Sequence, residues 1–234
     1  MEFINDVDFW QTMILTGKLA FSTTAILFVV GLPIAYTLAY KRFIGRSLFE
    51  ALISIPMVLP PIVLGFYLLM IYSPNSWFGA WWYETYDSRL AFSFEGILIG
   101  SVIFGLPIMI QPLRAGFVAI PRSLSDAAQT LGKSKLDIFF RILLPNMIPS
   151  IITSLALSFA HCIGEFGVII MVGGNIPGET RVASIAIYDQ VQALQYDNAN
   201  KYSMVLFIVA MVLLTIIYSF NNHSHKNQND YVGN

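Results

Sequence analysis

Charged side chains are scarce in this 234-residue sequence, where Asp, Glu, Lys and Arg together make up 12% and the formal net charge is −1. With 56% hydrophobic residues, this is not the composition of a soluble globular protein. The near-neutral balance and the lack of a basic stripe argue against nucleic acid as a partner. The single cysteine, Cys162, excludes an intrachain disulfide and a cysteine-based metal cluster, and we predict no bound metal.

Long apolar runs take the place of charge. Five segments have roughly the 20 residues that a helix needs to cross a bilayer, and an open sheet could not satisfy its backbone there. We therefore predict an all-α membrane protein with one transmembrane domain, residues 1–222, followed by a polar tail, residues 223–234, that is solvated or disordered. The five spans are expected at about residues 10–40, 48–72, 95–117, 141–172 and 202–221.

The positions of Lys and Arg predict the orientation, because these residues concentrate in cytoplasmic loops. Nine of them follow the first, third and fifth spans, and the other four lie elsewhere. This asymmetry predicts that the loop at residues 118–141 and the C-terminus are cytoplasmic. The N-terminus is then outside, as five spans require.

Residues 123–145 form a polar, partly helical segment between two spans. Ser123 and Asp126 have capping-box spacing, which predicts a helix start, and Gly132 predicts its end in a left-handed conformation. A helix of about eight residues, roughly 12 Å long, is marginal alone in water. Its apolar residues form one narrow stripe that needs a partner to dock against: Leu124, Ala127, Ala128 and Leu131.

This segment resembles the EAA loop of ABC importer permeases, whose pattern is Glu-Ala-Ala, three residues, Gly, nine residues, then Ile-x-Leu-Pro. The positions that match are Asp126, Ala127, Ala128, Gly132, Ile142, Leu144 and Pro145, with Asp for Glu as the departure. The resemblance implies that these residues, with Leu124 and Leu131, dock as a coupling helix into a separate ATP-hydrolysing subunit. An ordinary cytoplasmic connector with a capped helix is the alternative.

Prolines interrupt the second predicted span. Pro56, Pro60 and Pro61 each remove a helix hydrogen bond, and in lipid such breaks survive where protein or water covers the freed carbonyls. We expect this segment to line a translocation path. A kink with no pathway role is the alternative.

The fourth predicted span contains the most unusual intramembrane residues. Its candidate pathway or gate residues are Ser158, His161, Gly164, Glu165 and Gly167. An acid inside a span is a functional candidate because it is costly there. Counted from Arg141, however, Glu165 lies roughly 35 Å along an untilted helix, at the outer edge of the bilayer. A gate or hydrogen-bonding role and a merely interfacial acid both stay open.

Three further stretches, at residues 55–65, 164–167 and 174–181, widen the resemblance. With them, the chain apart from its tail is similar to the permease subunits of bacterial molybdate importers, with sulfate permeases as near relatives. The resemblance implies the permease fold of molybdate and methionine ABC importers, in the bacterial inner membrane. It implies four kinds of partner: a second copy of the chain, two ATP-binding cassette subunits, a periplasmic molybdate-binding protein and the lipid bilayer. Sulfate or tungstate is the alternative cargo.

No feature of the sequence predicts an enzyme. Gly132, Lys133 and Ser134 look like the end of a phosphate-binding P-loop, but Ala127 stands where the first glycine of that motif belongs. We expect no cofactor on this chain, because the resemblance places ATP and magnesium on the partner subunit. An ATP-independent channel or ion-driven transporter is the alternative from another class. It would need charges near the midplane, for which only His161 and Glu165 are candidates.

Overall fold

The structure, a computed structural model, describes residues 7–230, and every regular element within that range is helical. Twelve α-helices and one π-helical turn follow one another in this range. They are α1 Val7–Tyr40, α2 Arg46–Val58, α3 Pro61–Tyr72, α4 Trp77–Tyr86, α5 Phe94–Ala119, α6 Arg122–Thr130, α7 Lys135–Ile138, the π turn Phe139–Leu143, α8 Leu144–Asn146, α9 Ile148–Gly164, α10 Gly167–Gly173, α11 Ala183–Gln192 and α12 Tyr196–Asp230.

The long helices α1 and α5 pack closely against each other. A Cβ added to Gly31 would lie 2.9 Å from Cγ of Met109, and one added to Gly105 would lie 2.7 Å from Cδ1 of Leu27. Small residues let membrane helices approach in this way, and the side chains of Leu27 and Met109 are fully buried. The two helices therefore interlock at two successive points.

Buried side chains form two large clusters and one small one. One large cluster joins α1, α3, α5, α9, α10 and α11 and includes Leu19, Leu68, Ile97, Cys162 and Val168. The other joins α1 and α5 to the segment after α6 and includes Leu27, Leu38, Phe117, Ile138 and Leu143. The small cluster fixes α11 between the start of α1 and α12, through Phe9, Ala183, Ala186 and Tyr202.

Three helices of the described range are long and apolar enough to cross a membrane singly: Val7–Tyr40, Phe94–Ala119 and the part of α12 at Tyr196–Ile216. Two further pairs qualify only as bent units, α2 with α3 at 110° and residues Lys135–Asn146 with α9 at 70°. The predicted spans at residues 48–72 and 141–172 are therefore not single straight helices. The count reaches five if each bent pair is one span.

Two adjacent prolines explain the bend between α2 and α3. Leu59 has φ −72° and ψ 140°, and Pro60 has φ −55° and ψ 133°, so both are extended. Each of them precedes a proline, and a following proline ring disfavours helical backbone. Pro61 then begins α3, where its missing N–H costs no hydrogen bond.

The tail differs from the prediction. Helix α12 continues to Asp230, so the backbone of residues 223–230, which we predicted to be solvated or disordered, is helical. Residues 231–234 lie outside the described range.

Candidate functional site

The short helix α6 lies in the loop between α5 and α9. It begins at Arg122 after Pro121, which has extended ψ of 130°, and no side chain caps its first turn. The predicted capping box at Ser123 and Asp126 is therefore wrong, because Pro121 sets the entry and places Ser123 already inside the helix. The helix has nine residues, against about eight expected.

Gly132 ends α6 as predicted. Its φ is +75°, and its N–H donates to the Gln129 carbonyl at 2.9 Å while the N–H of Lys133 donates to the Ala128 carbonyl at 3.1 Å. These two bonds form a Schellman motif, which needs a left-handed residue at the position of Gly132. The backbone conformation at this position therefore favours glycine.

The predicted apolar stripe of α6 is mostly exposed. Leu124 is 45% exposed and Leu131 is 79% exposed, and Ala127 is exposed as well. Ala128 is the exception, since it is buried in the cluster that contains Ile138. The outward part of the stripe is an apolar surface with nothing on it, which we call the α6 stripe: Leu124, Ala127 and Leu131.

Asp126 lies away from the α6 stripe. At 3.6 residues per turn it falls on the opposite side of the helix. There it lines a cavity of about 670 Å³ together with Ser125 and Gln129, between α6, α7 and the C-terminal end of α1. The structure therefore separates Asp126 from the apolar residues with which the sequence motif groups it.

Of the last three motif residues, Ile142 lies within the π turn, and Leu144 and Pro145 follow it. Ile142 and Leu144 are half-buried and Pro145 is exposed. Pro145 has no N–H to donate to a carbonyl four residues earlier, and the irregular turn immediately precedes it. The side chain of Asn146 donates to the Ile142 carbonyl at 2.7 Å and so helps to close this irregular segment. These residues shape the connection into α9.

Two helix breaks meet in the other half of the molecule. Glu165 has ψ 132°, which ends α9, and α10 begins at Gly167. A Cβ added to Gly167 would lie 2.7 Å from Cβ of Pro61 and 3.2 Å from the backbone nitrogen of Ile62. The break after α9 is therefore packed directly against the break before α3.

The remaining pathway candidates do not all join this contact. Pro56 is buried within α2, whereas Pro60 is exposed at the bend. Gly164 is exposed, and a Cβ added there would meet nothing within 4 Å. Of the eight candidates, the structure brings Pro61 and Gly167 into contact.

Glu165 lies inside the protein and not at an open surface. It is 5% exposed, its Oε1 makes no hydrogen bond, and its main-chain carbonyl accepts a bond of 2.6 Å from the Ser184 hydroxyl of α11. Buried hydroxyls that make no hydrogen bond of ordinary length also occur on the three neighbouring helices α1, α5 and α9, at Thr23, Thr24, Ser101 and Ser158. Nε2 of His161 likewise has no hydrogen-bond partner, and the centroid of the imidazole ring lies 5.0 Å from the ring centroid of Phe104.

Sequence reasoning missed Ser101 and Thr180. Ser101 is 1% exposed in α5, and the sequence signal that could have identified it is a polar residue within an apolar span. The Thr180 hydroxyl donates to the Gly173 carbonyl at 2.7 Å and accepts from the Ile176 N–H at 3.1 Å, closing the loop after α10. Among the side chains that the structure describes, no three of His, Cys, Asp or Glu are grouped as a metal site.

A family described as "Binding-protein-dependent transport system inner membrane component" matches residues 28–223. The chain belongs to this family. It is therefore the inner-membrane component of a binding-protein-dependent transport system, and the apolar helices described above fit a multi-pass membrane protein.

Relatives that are similar in sequence are transport permeases. The chain is 40% identical over 205 residues to the molybdenum transport system permease protein ModB of Azotobacter vinelandii, which covers 88% of this chain and 91% of the relative. It is 33% identical over 210 residues to ModB of Escherichia coli K12, with 88% and 91% covered. It is 31% identical over 186 residues to the sulfate transport system permease protein CysT of the same organism, with 80% and 67% covered.

Solved structures agree on the fold. A bacterial alginate ABC transporter in complex with its substrate-bound periplasmic protein aligns with a TM-score of 0.72 at 18% identity, over 92% of this chain and 80% of that one. The inward-facing methionine transporter MetNI aligns with a TM-score of 0.68 at 16% identity, over 89% and 92%. The chain thus has an ABC importer permease fold.

Proposed function

We propose that this chain forms the translocation path of an ATP-driven importer for molybdate, delivered by a periplasmic binding protein. The observation that carries the proposal is the 40% identity to a molybdenum permease over 88% of the chain. The proposal includes five spans, each bent pair counting as one, within a single domain at residues 1–222. It also includes an external N-terminus and a cytoplasmic C-terminus.

The α6 stripe is the proposed docking point for an ATPase subunit. Two of its three residues are large apolar side chains left in water, which is unfavourable unless a partner covers them. The Schellman end at Gly132 holds the helix in shape for that partner. Ile142, Leu144 and Pro145 would pass its movement into α9, and Asp126 would act from the opposite side of α6.

The two meeting helix breaks are the proposed wall of the path. Breaks at Pro60–Pro61 and at residues 165–167 free backbone groups that can give weak contacts to a passing oxyanion. Outside the break, α3 exposes Ile62, Phe66 and Met70, so its surface is incomplete in one copy. A second copy related by two-fold symmetry would cover it and close the path between the subunits. Pro56, Ser158, His161, Gly164 and Glu165 would then support the wall or its gate.

Reconstituted transport tests the proposal. Proteoliposomes would contain this chain with its ATPase partner, and the binding protein would be supplied with labelled molybdate outside. We expect uptake that needs ATP inside and the binding protein outside, and that is insensitive to collapse of the ion gradients. Uptake driven by an ion gradient without ATP would overturn the ATP-driven assignment and favour a channel or ion-driven transporter.

Sulfate is the second candidate cargo, because the CysT relative covers 80% of this chain at 31% identity. Competition separates the cargos in the same vesicles. We expect unlabelled molybdate and tungstate to compete with labelled molybdate, with sulfate weaker at equal concentration. Stronger competition by sulfate would replace molybdate with sulfate as the cargo and leave the ATP-driven mechanism intact.

A further inference from the structure

The cavity behind α6 lies at the opposite side of the helix from the α6 stripe. Its volume is about 670 Å³, and its walls come from the end of α1, the inner side of α6, α7 and the π turn. A partner that docks on Leu124, Ala127 and Leu131 therefore leaves this cavity uncovered by that contact. Apart from Asp126, no residue of the cavity wall has a role in the transport mechanism proposed above.

The polar part of the cavity carries an excess of positive charge. Lys41, Arg122 and Lys135 line it, and Asp126 is the one acid on its wall, which gives a formal charge of 3 − 1 = +2. Within the described residues none of these three cations has a carboxylate within 4.0 Å. Their neighbours do: Arg46 and Arg114 pair with Glu50, and Arg141 pairs with Asp137. The cavity thus holds three cations that have no carboxylate partner among the described residues.

The opposite end of the cavity is apolar and lies along the span. Pro33 lies on α1, eight residues and about 12 Å before Lys41, which directly follows the helix, and Pro33 is exposed. Tyr36 and Tyr40 lie between them, the ring type that concentrates at membrane interfaces. Phe139 and Leu143 supply the apolar floor. A ligand that fills the cavity would have an anionic end at the three cations and an apolar end beside the bilayer core.

We propose that this cavity binds the head group of an anionic phospholipid, with the phosphate at Lys41, Arg122 and Lys135 and an acyl chain leaving past Pro33. Phosphate is matched by the unpaired cations, and basic pockets between helices at the membrane surface bind such head groups. A soluble anion would account for the cations but not for the apolar end. A side chain of the ATPase subunit would have to reach behind the helix that it docks on.

Native mass spectrometry of the permease–ATPase complex in neutral detergent, titrated with phosphatidylglycerol, tests this site. The test variant is Lys41→Gln with Arg122→Gln and Lys135→Gln. The matched control, Arg42→Gln with Lys133→Gln and Arg141→Gln, removes the same charge from exposed residues outside the cavity. We expect the test variant to lose about tenfold or more in phosphatidylglycerol affinity and the control to change by less than about threefold.

Every outcome decides the matter. Equal losses in the two triple variants would show a non-specific charge effect and overturn the site. Displacement of phosphatidylglycerol by an equal concentration of inorganic phosphate or glycerol phosphate would show a free-anion site and overturn the lipid assignment. A photo-crosslinker at Gln129 that captures the ATPase subunit would overturn it in favour of a protein contact. Because lipid binding is measured without cargo, failure here leaves the molybdate proposal intact, and failure of uptake leaves this one intact.

Discussion

The two halves of the molecule handle small and apolar residues in opposite ways. In the loop after α5, the apolar side chains of the α6 stripe are exposed, and Gly132 serves a backbone conformation. At the helix breaks, Gly167 is buried and serves close packing, with Pro61 directly against it. The exposed α6 stripe is available to a partner, whereas the contact between Gly167 and Pro61 is formed within the chain. Substitutions should therefore affect coupling in the first region and stability in the second.

The largest expected effect is at the α6 stripe. Ala127→Glu puts an unpaired charge into an apolar docking surface, which costs several kcal/mol, so ATP-driven uptake should fall by about a hundredfold or more. Ala127 is exposed, so membrane insertion and the melting temperature should not change. Uptake and thermal unfolding measured on the same preparation check this. Ala127→Ser is the control and should keep most of the uptake; wild-type uptake in the Glu variant would remove α6 from coupling.

Gly132→Pro should follow in size. Proline cannot adopt the φ of +75° seen at Gly132 and has no N–H for the Gln129 carbonyl, so the end of α6 should unravel at a cost of about 3 kcal/mol. We expect uptake to fall at least about tenfold, with insertion unchanged. Gly132→Asn is the control, because asparagine tolerates the left-handed conformation. If the Asn and Pro variants transport alike, the shape of the helix end is irrelevant.

The contrast at the breaks is a matter of stability. Gly167→Ala would bring a Cβ to 2.7 Å from Pro61 Cβ, and we expect a loss of about 1–3 kcal/mol in unfolding free energy. Gly164→Ala is the matched control three residues away, where the added Cβ meets nothing within 4 Å. It should be neutral or stabilising by up to about 1 kcal/mol, since alanine favours helix. Denaturant unfolding in detergent micelles compares the two variants. Equal effects would show that the close contact of Gly167 with Pro61 does not contribute to stability.

Glu165→Gln should give the smallest effect. Its Oε1 has no hydrogen-bond partner, so Glu165→Gln keeps the shape and loses no bond at that atom. We expect a change below about 1 kcal/mol in unfolding free energy, whereas Glu165→Ala leaves a cavity and costs about 2 kcal/mol or more. Thermal unfolding and uptake assays on both variants measure this. Loss of uptake in a fully stable Gln variant would instead assign the carboxyl a direct role in the path.

The sequence predicts local features well where one residue decides them. Gly132 at the end of α6 and a proline break within the second predicted span both follow from backbone chemistry, and the structure has both. The size of the bend, 110°, does not follow, because it depends on which neighbours α3 packs against. The contact of Gly167 with Pro61 joins residues about a hundred positions apart and is a tertiary result. The position of Asp126 on the cavity side does not follow from the sequence for another reason. The motif fixes the spacing of its residues, but the packing of α6 decides which side of the helix lines the cavity.

The connection between α5 and α6 has only two residues, Ile120 and Pro121, and Ile120 is buried. If α6 couples to the ATPase subunit as proposed, a linker this short would pass a displacement of α6 to α5 with little loss. Helix α5 in turn packs closely against α1 at Gly31 and Gly105, and this close packing opposes sliding of one helix along the other. A displacement of α6 at one membrane face would then tilt α1 and α5 together, and the tilt would reach the other face.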